Sequence, residues 1–343
     1  MNKIYNLLNE KFVIALFKKE ILPQYPEFFD IKQIKISTIK NHIWETTYHI
    51  IFKFQVTFAT NKQEDKIVFI YCTAHSNESR LNSYEASMLL WQNNFSKKNL
   101  NIPRPLFYST YFNAFFYEGV IGKNFYHYIR QKNFVEIEAL IIKTAAWLAK
   151  LHQLPTQNIK NFNTTNNRIE TVTPGKIHFL KSILVSYPYY YEVCCQIYEI
   201  INNQEKNFLN NNKKRWLIHG DAHPENIINT GPNNIAFIDF VDFCLTDFAR
   251  DLGAFLQQLE FMTLRKINDP IYTKKIQQLF LTTYFNITKK ELDSNLQNRI
   301  DNYYNWTALR TATFFLLKAQ PEPKRAHGLL VQICQNLKLR VNI

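Results

Sequence analysis

The stretch Trp216-Leu217-Ile218-His219-Gly220-Asp221-Ala222-His223-Pro224-Glu225-Asn226 decides how the rest of this 343-residue chain is organised. Its apolar start predicts a short strand over Arg215–His219, and Gly220 predicts a loop that carries Asp221. Asn226, five residues on, opens a second predicted strand, Asn226–Asn229. Thr230-Gly231-Pro232-Asn233-Asn234 is turn chemistry, and the return strand Ile235–Asp239 runs into Phe240. The spacing is expected to gather Asp221, Asn226 and Asp239 at one end of a small sheet.

Two carboxylates and an amide oxygen in that arrangement suit phosphoryl transfer. The protein then has little covalent chemistry to do beyond positioning and charge neutralisation. One carboxylate can orient an acceptor hydroxyl and take its proton. The amide oxygen and the second carboxylate suit Mg²⁺, which prefers oxygen ligands and keeps some of its water. Each residue also has an ordinary explanation, because Asp and Asn commonly cap loop amides. A third alternative is zinc: His219, Asp221 and His223 alternate and could face one metal if the segment were extended. No second cluster of His or Cys in the sequence supports that reading.

Working outward, residues 1–20 carry apolar residues at helical spacing. Strands are predicted over Ile31–Thr38, Thr46–Phe58 and Ile67–Thr73, a helix over Ser83–Asn93, and strands over Leu106–Tyr108 and Ala114–Glu118. Beyond Gly119, helices dominate: Val135–His152, Ser182–Phe208 interrupted by Pro188, and then 248–266, 270–285, 289–319 and 323–338. The expected organisation is α+β, with a β-rich lobe over residues 1–118 and a larger helical lobe over 119–343.

Composition narrows the function. There are seven glycines, and the first is Gly119, so neither a Walker P-loop nor a dinucleotide fingerprint can lie in the N-terminal third. Hydrophobic residues at 46% make a buried core easy to build. The net charge of +13 comes from scattered lysines, the longest basic cluster being Lys213-Lys214-Arg215. Scattered lysine fits a solvated surface, and no nucleic-acid partner is expected. Five cysteines without metal spacing fit reduced, buried thiols. No apolar run is long enough for a membrane span and no cleavage signal follows the first helix, so a cytoplasmic location is expected.

With these residues in view, HGDAHPEN, then IDF, then TDFARDL resembles the aminoglycoside phosphotransferase and choline kinase family. The resemblance implies a bilobal, protein-kinase-like fold and an ATP- and Mg²⁺-dependent transfer to a hydroxyl of a small molecule. It implies Asp221 as catalytic base, Asn226 and Asp239 as metal ligands, and Asp247 and Asp251 as structural aspartates. Phe116-Tyr117-Glu118-Gly119-Val120-Ile121-Gly122 is similar to the lobe-connecting hinge, so Glu118 and Val120 would meet the adenine through their backbone. Leu148-Ala149-Lys150-Leu151-His152 is similar to the family's L-x-x-L-H helix end. Glu85 matches the family's small-lobe helix glutamate. Trp306, Tyr303, Tyr304 and Arg310 fall on a helix where members bind acceptors, although aromatic spacing there also fits a core.

The chain departs from the family on the third strand, where members carry a phosphate-binding lysine. Ile67–Thr73 has none, and Lys66 or Arg80 is left as a substitute. The departure keeps open a nucleotide-binding pseudoenzyme as the alternative function.

Overall fold

Alternation in the segment Tyr48–Thr60 sets the architecture of the first part of the chain. Tyr48, Ile50, Phe52, Phe54, Val56 and Phe58 are buried, while His49, Ile51, Lys53 and Gln55 between them are half-exposed. That period of two gives a sheet with one face in a core and the other free for chemistry. The computed structural model describes residues 2–61, 64–96, 99–160, 162–173 and 175–340. The chain divides into two units, Met1–Gly122 with Thr230–Val241, and Lys123–Asn229 with Asp242–Ile343. The short segment Thr230–Val241, which carries Asp239, thus belongs with the β-rich unit, although its neighbours in sequence belong with the helical one.

In the first unit, helix α1 (Glu10–Glu20) is followed by strands β1 (Phe28–Ile43), β2 (Tyr48–Thr60) and β3 (Lys66–His75). Then come helix α2 (Leu81–Leu90) and strands β4 (Leu100–Asn101), β5 (Arg104–Ser109) and β6 (Ala114–Glu118). The sheet order is β1-β2-β3-β6-β5, every neighbour antiparallel. Asn9 caps α1 by accepting from the Phe12 amide. The helix lays Val13 and Phe17 on the core face, with the Phe17 ring 5.1 Å from that of Phe54. The start of the chain is therefore a short 3-10 turn (Lys3–Leu8) plus α1, where one helix over residues 1–20 was expected. Helix α2 packs on β5 and β6.

The second unit starts with β7 (Lys123–Asn124), α3 (Phe125–Arg130) and α4 (Phe134–His152), then α5 (Lys176–Ser186) and α6 (Pro188–Asn211). Pro188 opens α6 at its first turn, where a missing N–H costs nothing, so the expected Ser182–Phe208 helix is two helices. Strand β8 (Trp216–Ile218) and strand β9 (Ile227–Gly231) frame the HGD loop, and β10 (Asn234–Phe237) follows. Strand β11 (Cys244–Thr246) pairs antiparallel with β8, β7 pairs antiparallel with β9 at Lys123–Asn229 and Asn124–Ile228, and in the first unit β10 pairs parallel with β4. Helices α7 (Ala249–Lys266), α8 (Pro270–Thr288), α9 (Ser294–Leu317) and α10 (Pro323–Leu337) complete the chain.

Side chains of Asn124, Asn133, Asp269 and Asp293 cap α3, α4, α8 and α9, which accounts for part of the Asn and Asp content. Gly253 on α7 lets α9 approach closely, because a Cβ there would stand 2.4 Å from the Ile300 carbonyl oxygen. Among the described residues no helix is long and apolar enough to cross a membrane.

Candidate active site

Asp221 lies in the second unit at the end of a braced loop. Gly220 has φ +85°, and a Cβ at that position would stand 2.2 Å from the Asp242 carbonyl oxygen, so glycine is the residue the turn accepts. The fully buried Asp251 carboxylate accepts the His219 amide at 2.7 Å and the Gly220 amide at 2.9 Å. His152, at the end of α4, meets Asp251 through Nε2 at 3.1 Å and Tyr284 through Nδ1 at 2.9 Å. The resemblance to an L-x-x-L-H helix end thus has a physical content: His152 and Asp251 hold the loop backbone from beneath. Asp247 is also buried, accepting from Arg299 and the Ala249 amide.

His219 is buried, with its ring 6.2 Å from that of Trp147, and its Nδ1 accepts the Asp221 amide at 3.3 Å. His223 Nδ1 accepts the Glu225 amide, which leaves its proton on Nε2, 3.4 Å from Asp221 Oδ2. Each imidazole has a local partner. Among the described residues no group of three or more His, Cys, Asp or Glu side chains has a metal-holding arrangement. The geometry gives the zinc alternative no support.

The Asp221 side chain is half-exposed. Burial pushes its carboxyl up, but the His223 hydrogen bond and the charges of His223, Arg310 and His219 outweigh this and hold it well below the usual carboxylate range. Asn226 is buried, and its Nδ2 donates to the Asp221 carbonyl oxygen at 3.0 Å and to Oδ2 at 3.3 Å. Those bonds use the amide's donors and leave its oxygen as the group suited to a hard cation. Asp221 and Asn226 are therefore brought together. The carboxylate borders a cavity of about 670 Å³ in the same unit. Trp306 and Arg310 line that cavity, whereas Tyr303 donates to Glu205 and Tyr304 accepts from Gln332, both outside it.

Asp239 lies in the first unit, beside a cavity of about 120 Å³ bordered by Ile51, Thr73, Ser83, Ser87 and Tyr117. Its φ of +67° is left-handed, a conformation that a non-glycine residue adopts at a cost and that clusters at functional sites. Asn82 on α2 fastens the following turn by donating to the Phe240 and Val241 carbonyls at 3.3 and 3.0 Å. Burial, and then the Asp239 charge, push the Tyr117 hydroxyl up.

Glu118 turns its carboxylate to Tyr25, whose hydroxyl donates at 2.7 Å, and stands opposite Ile70 and Arg104 in the sheet. Val120 is half-buried just beyond β6. Lys66 opens β3, seven residues from Thr73 or about 23 Å along a strand, with its ammonium 5.5 Å from the Phe28 ring centroid. Glu85 is exposed, while Ser83 and Ser87 on the same helix border the cavity. Lys66 and Glu85 are not among the residues that border this cavity.

A basic cluster sits one rung from this cavity. Ile51 pairs with Thr73 at its edge, and His49 pairs with His75 two residues on, along the same face. The two imidazoles are 4.8 Å apart, and Lys40 Nζ is 3.2 Å from His49 Nε2. Arg80 is buried, bonds Glu78 through Nη1 at 3.2 Å, and leaves Nε without a partner. His75 Nδ1 accepts the Asn77 and Glu78 amides, so its proton is on Nε2; His49 Nε2 faces an ammonium, so its proton is on Nδ1. Burial, and then Lys40, Arg80 and His75, push His49 down to about 4. Burial also lowers His75, with Arg80 and Lys40 adding to it against Glu78.

The family model of the phosphotransferase enzyme family matches residues 54–281, about two-thirds of the chain. This chain belongs to that family. No curated protein sequence matches it significantly. Solved structures share the fold at low identity. The amicoumacin kinase hAmiN, in complex with AMP-PNP and Ca²⁺, has a TM-score of 0.56 and 14% identity over 93% of this chain and 92% of that one. A thermostable mutant of aminoglycoside phosphotransferase APH(4)-Ia, with ADP and hygromycin B, has a TM-score of 0.56 and 10% identity over 98% and 99%. The streptomycin–ATP complex of APH(2'')-IIa has a TM-score of 0.51 and 14% identity over 94% and 96%. The expected kinase-like α+β fold is the one found.

Proposed function

We propose that the protein transfers the γ-phosphoryl group of ATP, with Mg²⁺, to a hydroxyl of a small molecule. The observation that carries this is the braced loop: an ionised, half-exposed Asp221, fixed by His223, Asn226 and the Asp251-held backbone, opening onto a cavity large enough for a small acceptor. The nucleotides named for the similar solved structures favour the same reading.

Asp221 accepts a hydrogen bond from the acceptor hydroxyl and aims its oxygen. So acidic a carboxyl is a weak base for a free alcohol, so the proton moves late, after bonding to phosphorus has acidified it. The oxygens of Asn226 and Asp239, assigned by their sequence spacing, would hold Mg²⁺, which would supply positive charge to offset that of the phosphates. In the first unit, the backbone at Glu118 and Val120 serves the base. Lys40, His49, His75 and Arg80, a cluster of N–H donors with Glu78 the carboxylate bound to it, serve the polyphosphate in place of a strand lysine.

Asp221→Asn keeps the shape and removes the base. We expect ATP binding, followed by calorimetry, to survive and turnover to fall by about 10²–10⁴. Unchanged turnover would refute the role. The absence of lysine from the cavity-facing positions of β3 favours one second reading, a nucleotide-binding pseudoenzyme. ATP binding without transfer to any hydroxyl compound would decide for it.

A further inference from the structure

Arg250 and Trp306 border the cavity beside Asp221, and each carries a buried donor without an acceptor. Arg250 and Trp306 are 2% and 3% exposed, yet Arg250 Nη2 and Trp306 Nε1 have no hydrogen-bond partner. Arg250 Nη1 is used, donating to the Asn166 carbonyl at 2.5 Å. Buried donors are almost always paired, so two orphans on residues that border one cavity call for an explanation. Arg310, one turn beyond Trp306 on the same face of α9, makes no ion pair or hydrogen bond among the described residues; its guanidinium carbon is 6.0 Å from the Trp306 ring centroid. Its charge reaches Asp221, where it helps to keep the carboxylate ionised.

The remaining charges on this wall do not cancel Arg310. Glu322 is held by Lys318 and Arg325. Glu225 is exposed, as is Arg265 across the cavity. Glu205 and Asp242 face Arg250. A cationic acceptor would stand against an unpaired guanidinium, whereas a carboxylate or phosphate would satisfy it and could accept from the two orphan donors.

Building on the phosphotransferase reading, we propose that the acceptor is an anionic hydroxyl compound, carrying a carboxylate or phosphate that Arg310, Arg250 and Trp306 receive while Asp221 takes its hydroxyl. The acceptor oxygen bonds to the γ-phosphorus, the bond from that phosphorus to the ADP oxygen breaks with its electrons leaving on ADP, and the hydroxyl proton passes to Asp221.

The test is calorimetric binding of two matched sets to the full chain. One set is glucuronate, glucose 6-phosphate, glucose and glucosamine; the other is glycerate, glycerol 3-phosphate, glycerol and ethanolamine. In at least one set, an anionic member should bind ten times or more tightly than the neutral one, with the cationic one weakest. The carboxylate and phosphate arms identify which anion is used. Arg310→Gln should erase the preference, Arg310→Lys should keep part of it, and the indole N–H resonance lost in Trp306→Phe should shift with the anion. Equal binding across both sets, or a preference untouched by Arg310→Gln in a protein with the wild-type circular dichroism spectrum, overturns the proposal. Anion binding without ATP-dependent transfer would leave this site standing and sink the phosphotransferase reading. Transfer to cationic members alone would do the reverse.

Discussion

Asp251→Asn should unseat the loop that carries Asp221 without altering Asp221 itself. The native carboxylate accepts two backbone amides, His219 at 2.7 Å and Gly220 at 2.9 Å, one on each oxygen, and also meets His152. An asparagine has one carbonyl oxygen, so its NH₂ must face one of those donors. One buried amide is left unpaired, which costs about 1–3 kcal/mol, and the surviving bond loses its charge, which costs about another 1 kcal/mol. The sum, about 2–4 kcal/mol, corresponds to a fall in Tm of about 4–16 °C for a unit of this size. Urea and thermal melts of the two proteins check the figure. Turnover should fall with it, because the two amides belong to the residues just before Asp221, and the loss should appear in kcat more than in the acceptor KM.

A pH arm sharpens the test. Burial pushes Asp251 up, but the His152 hydrogen bond and the His152 and His219 charges leave its carboxyl below the ordinary 3.8. A depressed carboxyl contributes stability that is present above the unfolded pKa and lost as pH falls through the folded one. The difference between wild type and variant should therefore hold from neutral pH down to about 4 and shrink below that. A variant that melts within about 1 °C of wild type at pH 7 would refute the account of the loop.

Gly220→Ala should destabilise by at least about 1–3 kcal/mol and abolish turnover, since the new Cβ meets a backbone oxygen that cannot retreat; a wild-type urea midpoint would contradict this. The double variant His49→Gln, His75→Gln should raise the Kd for ATP about tenfold and leave that for adenosine unchanged, measured by calorimetry, if the cluster serves the phosphates. His223→Ala should bring the Asp221 carboxyl back toward 3.8, so an acid limb in kcat should move to higher pH in the variant's pH–rate profile. Asp239→Asn should raise the Mg²⁺ concentration for half-maximal turnover about tenfold or more, and a chelator should stop the wild-type reaction reversibly.

Much of the fold was legible because its elements announce themselves by period. The alternation of β2 and β3 and the long apolar stripes of α4 and α9 leave few other assignments. Elements were misjudged where the period breaks. Strand β1 runs from Phe28 to Ile43, yet only Ile31–Thr38 was expected, since its pairing with β2 shifts register at three places and each shift flips the alternation. The grouping of Thr230–Val241 with the first unit depends on tertiary contacts that no local pattern carries.

For the candidate site, chain distance proved a poor guide and strand parity a better one. Val68, Ile70, Cys72 and Ala74 face the core, so even positions of β3 are lost to any ligand on the other face. Lys66 has that parity and lies near Phe28. The odd positions end in Thr73, at the Asp239 cavity, and His75. Once β2 is paired through Ile51 and Thr73, His49 must fall beside His75, and Lys40 reaches the same imidazole from β1. The donors absent from one strand are thus gathered from three strands and Arg80 before α2, a grouping visible only after register is known. If that cluster takes over the lysine's role, restoring a lysine by Thr73→Lys should rescue ATP binding in the His49, His75 double variant. A failure of rescue, with both proteins folded, would mean that the cluster and the lysine position serve different ends.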